Sequence, residues 1–134
     1  MLGSTNLIAF VPITDSQKSR AFYEGILGLR FVKDDGFALV LDANGIVVRA
    51  VKVKDFAPAP FTVLGWEVSK IENVVRELGK KGVRFEIFGF FKQDELGIWT
   101  TPGGDKVAWF KDPDGNTLSV SQPAAGGVPG KSAA

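Results

Sequence analysis

Few side chains in this chain could do chemistry, and their types narrow the reactions it could catalyse. The sequence contains neither histidine nor cysteine, so it lacks the usual general base, the commonest transition-metal ligand and any thiolate nucleophile. Disulfides and cysteine-built metal sites are excluded as well. Carboxylates remain for acid–base work, and Glu67, at the end of a β-rich segment, is the candidate for that role.

A second concentration of polar residues lies at Asp112–Asn116, which reads Asp-Pro-Asp-Gly-Asn. Proline presets φ, Asp and Asn side chains bond nearby amides, and glycine tolerates positive φ, so a tight turn is predicted. The β-forming residues around it predict a hairpin with strands at 107–110 and 117–121. The alternating oxygens superficially resemble a calcium loop. However, Pro123 occupies the twelfth position, where an EF-hand needs a bidentate glutamate.

The charge balance argues against several classes of partner. Lysine and arginine number 16 against 15 acidic residues, and without a basic run nucleic acid is not expected as a partner. Five glycines are predicted to lie in turns and form no phosphate-binding motif: Gly36, Gly45, Gly103, Gly104 and Gly115. No leader sequence and no apolar run of about 20 residues is visible. We therefore expect a soluble, cytoplasmic protein that does not bind membranes.

The order of predicted elements repeats along the chain. Capping-box patterns at Thr14–Gln17 and Ser69–Glu72 each predict the start of a helix, the first running from about residue 15 to 27. Gly28 and Gly82 are predicted to end the two helices. Asn44-Gly45 is a strong hairpin signal. The predicted strands cover residues 6–13, 29–33, 37–41 and 46–53, and then 61–68, 83–88, 98–101, 107–110 and 117–121.

This repetition predicts a duplicated βαβββ module. The first module spans residues 1–53 and the second spans residues 61–122. Residues 54–60 form a proline-rich linker, because proline cannot join a strand ladder and favours an extended spacer. Residues 123–134 are rich in Ala, Gly and Pro and are predicted to be a disordered tail. Together the modules form one structural domain.

Three sequence motifs in this order resemble a known family. They are Phe22-Tyr23 followed by Ile26-Leu27-Gly28-Leu29, then Trp66-Glu67-Val68, and then the Asp112–Asn116 turn. From Asn6 to Gln122 the chain resembles the glyoxalase / bleomycin-resistance protein / extradiol dioxygenase superfamily, the vicinal oxygen chelate fold. The resemblance implies an α+β fold. Its two tandem βαβββ modules would form an eight-stranded mixed sheet that encloses a cleft, with helices on the outer face.

The same resemblance implies where a divalent metal would bind in this fold. Family members that use a metal hold it with His or Glu on the first and last strand of each module. Here those positions are Ile8, Val63, Ser119 and either Val48 or Arg49, and none of them is a His, Asp or Glu. A divalent cation needs about three to six oxygen or nitrogen ligands. The sequence therefore predicts a metal-free member with no cofactor.

Alternation along the strands predicts what lines the cleft. If Ile8 and Val63 face it, so do Phe10 and Glu67, while Trp66 faces the helix. Glu67 is then a general base, a partner of Arg49, or a surface carboxylate. The predicted ligand-binding residues are Ile8, Phe10, Arg49, Val63, Glu67, Trp99, Ser119 and Ser121.

The aromatic residues of the second module have two interpretations. Phe88, Phe90 and Phe91 lie in or beside its longest loop together with Trp99. They predict a lid over a planar ligand or, alternatively, a hydrophobic dimer contact or local packing. Trp109, in the final hairpin, is predicted to be core.

Three functions are consistent with these features. The first is binding of a small, largely apolar or aromatic molecule in the cleft without a metal, as in the bleomycin-resistance branch. The second is a metal-independent enzyme of the same superfamily, or one that uses non-standard ligands, of lyase, isomerase or dioxygenase type. The third is a non-catalytic regulatory or assembly module. The binding function is preferred because the metal-ligand positions lack His and Glu. A homodimer is expected, as the resemblance implies.

Overall fold

A computed structural model of the chain describes residues 1–125. The chain forms two compact units. Unit 1 comprises Met1–Pro60 and Asp112–Asn116, and unit 2 comprises Phe61–Lys111 and the chain from Thr117 onward. Most of the predicted disordered tail, residues 126–134, lies outside the described part of the chain.

Unit 1 contains a four-stranded mixed sheet, sheet 1. Its elements are β1 (Ile8–Ile13), α1 (Ser16–Arg20), a π-helical segment (Ala21–Ile26), β2 (Arg30–Asp34), β3 (Ala38–Ala43) and β4 (Ile46–Lys52). The strand order is β1-β4-β3-β2, with β1 parallel to β4 and the other pairs antiparallel. The predicted hairpin between β3 and β4 is confirmed. Asn44 and Gly45 have φ of 52° and 90°, the two positive values that a type I′ turn requires.

Unit 2 contains a sheet of the same design, sheet 2. Its elements are β5 (Thr62–Glu67), α2 (Ile71–Lys80), β6 (Trp99–Thr100), β7 (Lys106–Lys111) and β8 (Thr117–Gln122). The strand order is β5-β8-β7-β6, with β5 parallel to β8. Because each unit's strand order repeats the other's, the α+β class and the two tandem βαβββ modules are confirmed.

The helix starts differ from both predicted capping boxes. Asp15, not Thr14, caps α1, and its Oδ1 accepts from the amides of Gln17 and Lys18, both at 3.1 Å. Aspartate is at least as good an N-cap as threonine, and the Thr14 hydroxyl is bonded to Asp114 instead. The cap residue of α2 is Lys70, which makes no side-chain capping bond.

The first helix also changes type along its length. It is α-helical over Ser16–Arg20 and π-helical over Ala21–Ile26. The amide of Leu27 accordingly donates to the carbonyl of Phe22, five residues back, at 2.9 Å. The predicted helix is present but is not a single α-helix.

The predicted strand at residues 83–88 is wrong, and a glutamine side chain accounts for the difference. Within this segment only an isolated bridge at Phe85 is formed. The Gln93 side-chain amide donates to the carbonyls of Glu86 and Gly97 at 2.8 Å, and its Oε1 accepts from Phe88 N at 2.7 Å. Backbone groups that a neighbouring strand would otherwise satisfy are thus satisfied by one side chain.

Candidate functional site

One face of sheet 2 packs against α2, and two contacts identify it. The Ile71 amide donates to Gln122 Oε1 at 2.9 Å, and Lys106 Nζ lies 3.6 Å from Glu72 Oε1. Because side chains alternate across strands, the same face carries the fully buried apolar residues of β7 and β8. These are Ala108, Phe110, Leu118 and Val120. The opposite face, which points away from α2, is the far face of sheet 2.

The far face brings together four of the predicted ligand-binding residues. Strand pairing arranges its side chains in rows that cross β5, β8, β7 and β6 in that order. One row contains Glu67, Ser121, Val107 and Trp99, and the next contains Gly65, Ser119 and Trp109. Glu67 is exposed, Ser121 and the two tryptophans are half-buried, and Ser119 is buried.

Two features of β5 adjust the predicted lining of this face. The pairing of β5 with β8 shifts register between Thr62 and Leu64, and this bulge interrupts the alternation from which Val63 was assigned. The role of Val63 therefore stays a prediction. Further along, a Cβ at Gly65 would lie 2.7 Å from Ser119 Oγ. Because Gly65 has no side chain, there is room for the serine hydroxyl, and no side chain projects from this position of the far face.

Five aromatic rings, two of them from these rows, form one connected group, the ring cluster. Its members are Phe88, Phe90, Phe91, Trp99 and Trp109. Phe91 is central, because its ring centroid lies 4.2 Å from that of Trp99 and 5.3 Å from that of Trp109, with interplanar angles of 27° and 5°. Phe90 is 78% exposed, whereas the other four rings are half-buried.

The prediction that Trp109 belongs to the core needs correction. Trp109 alternates with buried Ala108 and Phe110 and so points to the far face, where it contacts Phe88 and Phe91. Alternation along β7 could have predicted this orientation from the sequence, because it places Trp109 on the same face as Val107 and opposite Ala108 and Phe110. The contact with Phe91 depends on the loop, whose path the sequence does not specify.

Polar side chains fix the loop that carries the phenylalanines. In addition to Gln93, Asp94 accepts with Oδ1 from the amides of Leu96 and Ile98, both at 2.9 Å. The Asp94 amide donates back to the Ile98 carbonyl at 2.9 Å. The phenylalanine rings of the cluster therefore project from a hydrogen-bonded loop.

In unit 1, strand pairing places Val48 and Arg49 on opposite faces of sheet 1. Arg20 of α1 lies over the Phe31 ring at 3.6 Å, so Phe31 marks the helix side of sheet 1. Phe31 pairs through Leu41 with Val48, which is buried on that side. Arg49 pairs with Phe10 and therefore lies on the opposite face.

That opposite face of sheet 1 carries three of the predicted ligand-binding residues. Ile8 and Phe10 are exposed there, Phe10 to 60%. The Arg49 guanidinium donates to Asp35 Oδ2 at 2.9 Å. Amide hydrogen bonds from Phe37 and Ala38, together with that from Arg49, lower the pKa of Asp35 to about 2, so the ion pair persists across the neutral range.

The most distinctive motif of the sequence, Asp112–Asn116, forms a buried hydrogen-bonded turn in unit 1. Asp112 is 5% exposed, and its Oδ2 accepts from the Tyr23 hydroxyl at 2.6 Å and from Asn116 Nδ2 at 2.8 Å. Its Oδ1 accepts from the amides of Asp114 and Asn116, both at 2.9 Å. Burial and the nearby Asp112 carboxylate raise the pKa of Tyr23 well above its usual value. The motif thus has a structural role.

The turn also bonds to β1 and to the residue that follows it. Asn116 Nδ2 donates to the Pro12 carbonyl at 2.8 Å. The Thr14 amide and hydroxyl both donate to Asp114. These hydrogen bonds tie the turn to β1 and to Thr14.

A family model described as Glyoxalase/Bleomycin resistance protein/Dioxygenase superfamily matches residues 7–120. This match covers most of the 134 residues and includes sheet 1, sheet 2 up to residue 120 and the Asp112–Asn116 turn. The chain belongs to this superfamily.

Solved structures of the glyoxalase superfamily have the same fold as this chain. A superfamily member from Sphaerobacter thermophilus is 20% identical with a TM-score of 0.70, covering 90% of this chain and 98% of its own. TnmS3, an antibiotic binding protein from a Streptomyces species, is 22% identical with a TM-score of 0.69, covering 90% and 97%. A lactoylglutathione lyase from Agrobacterium tumefaciens is 14% identical with a TM-score of 0.68, covering 89% and 93%. No curated protein sequence matches the chain significantly.

The residues of this glyoxalase superfamily member do not fit a divalent metal at the family's ligand positions. Ile8 and Val63 are aliphatic, and Ser119 offers a single hydroxyl oxygen. Within residues 1–125, no group of three or more Asp, Glu, His or Cys side chains could hold a metal ion. Over the same residues, no helix is long and apolar enough to cross a bilayer.

Proposed function

We propose that this superfamily member binds a small, largely apolar or aromatic molecule without a metal. The observation that carries the proposal is the ring cluster on the far face of sheet 2, where half-buried Trp109 pairs with Ser119 and contacts Trp99. Small-molecule sites are commonly built from aromatic side chains with a few placed polar groups. Offset stacking on an aromatic ring adds about 0.5–1.5 kcal/mol beyond the area buried.

The structural neighbours do not decide between a binding function and an enzymatic one. One is named an antibiotic binding protein and another a lactoylglutathione lyase, and identities below 25% bear on the fold alone. The choice therefore rests on the residues of this chain. A general base gains its reactivity from a buried setting, whereas Glu67 is exposed, and this favours binding over catalysis.

Titration with dansylamide, a neutral naphthalene sulfonamide, tests the binding function. We expect saturable transfer of tryptophan emission to the dye, because a bound naphthalene ring would stack beside Trp99 and Trp109. Treatment with EDTA should leave both the affinity and the melting temperature unchanged. Elemental analysis of the purified protein should find less than stoichiometric zinc, nickel, iron or manganese.

A matched pair of variants locates the binding. Phe91→Ser removes the central ring and should abolish the transfer, while Phe37→Ser removes an exposed ring of unit 1 and should leave it intact. Unsaturable transfer in the native protein, or about one metal per chain lost to EDTA together with binding, would contradict the proposal.

We also propose that the protein is a homodimer. Large apolar side chains remain exposed in the described residues, among them Leu7, Phe61 and Phe90, and such side chains favour a buried contact between copies. Light scattering at tens of micromolar should give close to twice the chain mass of 14.4 kDa. A monomer mass at that concentration would refute the dimer.

A further inference from the structure

We propose that the far face of sheet 2 selects aromatic molecules that carry a positive charge, with the ring cluster holding the aromatic part and Glu67 the cationic group. This inference rests on the proposed binding function and adds a ligand class to it. Its basis is the charge and shape of the two rows of side chains on the far face, the row of Glu67 and the row of Trp109.

The charges on the far face favour a cation. Glu67 is exposed and forms no ion pair within residues 1–125. The lysine that shares this face, Lys111, lies 3.4 Å from Glu86 and is compensated by it. Lys106 points to the opposite face, toward Glu72. The carboxylate of Glu67 is therefore the uncompensated charge among the strand residues of the far face.

The adjoining loop does not reverse this balance. Between Phe91 and Gly97 it contains one cation, Lys92, and two carboxylates, Asp94 and Glu95. The carboxylate of Asp94 accepts amide hydrogen bonds within the loop. The rings add to the preference, because the faces of Trp and Phe rings carry a negative partial charge that attracts cations.

The geometry sets the distance between the two parts of the ligand. Trp109 is on β7, two strands away from β5, and lies two residues along β7 from Val107, which is in the row of Glu67. At ~4.8 Å per strand and ~3.4 Å per residue, the backbones of Glu67 and Trp109 are roughly 12 Å apart. Between them lie Gly65, without a side chain, and the short Ser119. A planar ring held against the ring cluster could thus extend a flexible arm past Gly65 and Ser119 to the carboxylate of Glu67.

The matched variant for Glu67 is Glu72 of α2. Both are exposed carboxylates of unit 2, but Glu72 contacts Lys106 on the helix side of the sheet. Glu67→Gln and Glu72→Gln each remove one negative charge while keeping nearly the same shape. They change the net charge of the chain equally, so a difference between them reports on position alone.

Three dansyl probes with similar arms test the inference. Dansylcadaverine carries an ammonium group, its N-acetyl derivative is neutral, and dansyl-6-aminohexanoic acid carries a carboxylate. At pH 7.5 and low salt we expect the native protein to bind the cationic probe about tenfold more tightly than the neutral one, and the anionic probe most weakly. Glu67→Gln should reduce the affinity for the cationic probe to that of the neutral probe, while Glu72→Gln retains the preference.

The outcomes separate this inference from the proposed function. If the neutral probe binds and Phe91→Ser abolishes its binding, but the three probes bind equally, the charge selection is refuted and the binding function stands. Equal losses of the preference in Glu67→Gln and Glu72→Gln would also refute it, since a general field would then be responsible. If none of the probes binds saturably, both the binding function and the charge selection are refuted.

Discussion

Replacing Asp112 with alanine is expected to lower the free energy of unfolding by about 3–5 kcal/mol, because a buried carboxylate with four hydrogen-bond donors is removed. The Tyr23 hydroxyl and Asn116 Nδ2 lose their acceptor on one oxygen. The amides of Asp114 and Asn116 lose theirs on the other. Each buried donor left without a partner costs about 1–3 kcal/mol, and the costs are not additive.

Asp94 provides a matched control for this substitution. Its carboxylate also accepts two amide hydrogen bonds in a turn, but the residue is exposed, so water can replace it as the acceptor. We expect Asp94→Ala to cost about 1 kcal/mol, and Tyr23→Phe to cost about 1–2 kcal/mol, since one partner of Asp112 remains on that oxygen. Urea unfolding followed by circular dichroism measures all three. A loss from Asp112→Ala no larger than that from Asp94→Ala would contradict a structural role for the motif.

Local backbone chemistry explains which parts of the fold the sequence predicts well. Asn44-Gly45 specifies its turn through the positive φ that these two residues tolerate, and no distant contact is needed. The capping of the first helix depends on a distant residue. Thr14 is an acceptable N-cap by itself, but it bonds to Asp114, which is 100 positions away in the chain, and Asp15 caps the helix.

The segment at residues 83–88 fails as a predicted strand for a similar reason. Its residue types favour β structure, yet Gln93 satisfies its backbone groups and turns the following chain into a hydrogen-bonded loop. A glutamine in a polar stretch gives no sign in the sequence that its side chain will take this place. The sequence therefore predicts that a loop presents the phenylalanines, but it does not predict the conformation of that loop.

The candidate site divides in the same way. Alternation predicts that Ser119, Ser121 and Glu67 share one face of sheet 2, and strand pairing gives the same arrangement. The position of Val63 is counted across a bulge, which a period of two cannot anticipate. The metal-ligand positions can be compared from sequence because the resemblance supplies the alignment. No local pattern in the sequence specifies what the site binds.

Trp109 and Phe110 are adjacent on β7, and substitutions at these two positions can separate an effect on binding from an effect on stability. Trp109 points to the far face and contacts Phe91, whereas Phe110 is fully buried on the helix side and lies 5.4 Å from Phe85. Replacing either ring with leucine keeps an apolar side chain on the same strand. We expect the two substitutions to have opposite consequences.

Trp109→Leu should weaken the binding of dansylamide about 30-fold, which corresponds to about 2 kcal/mol for the loss of a stacking surface. It should lower the free energy of unfolding by only about 1 kcal/mol, because Trp109 is half-buried. Phe110→Leu should cost about 1–2 kcal/mol in unfolding free energy, and Phe110→Ala about 3–5 kcal/mol. The affinity of folded Phe110→Leu should remain within about twofold of native, because the altered ring faces α2.

Titrations well below the melting temperature, paired with urea unfolding, measure both quantities. If Phe110→Leu weakened binding as much as Trp109→Leu, the far face would not be the binding surface and the ring cluster would be part of the packing of unit 2.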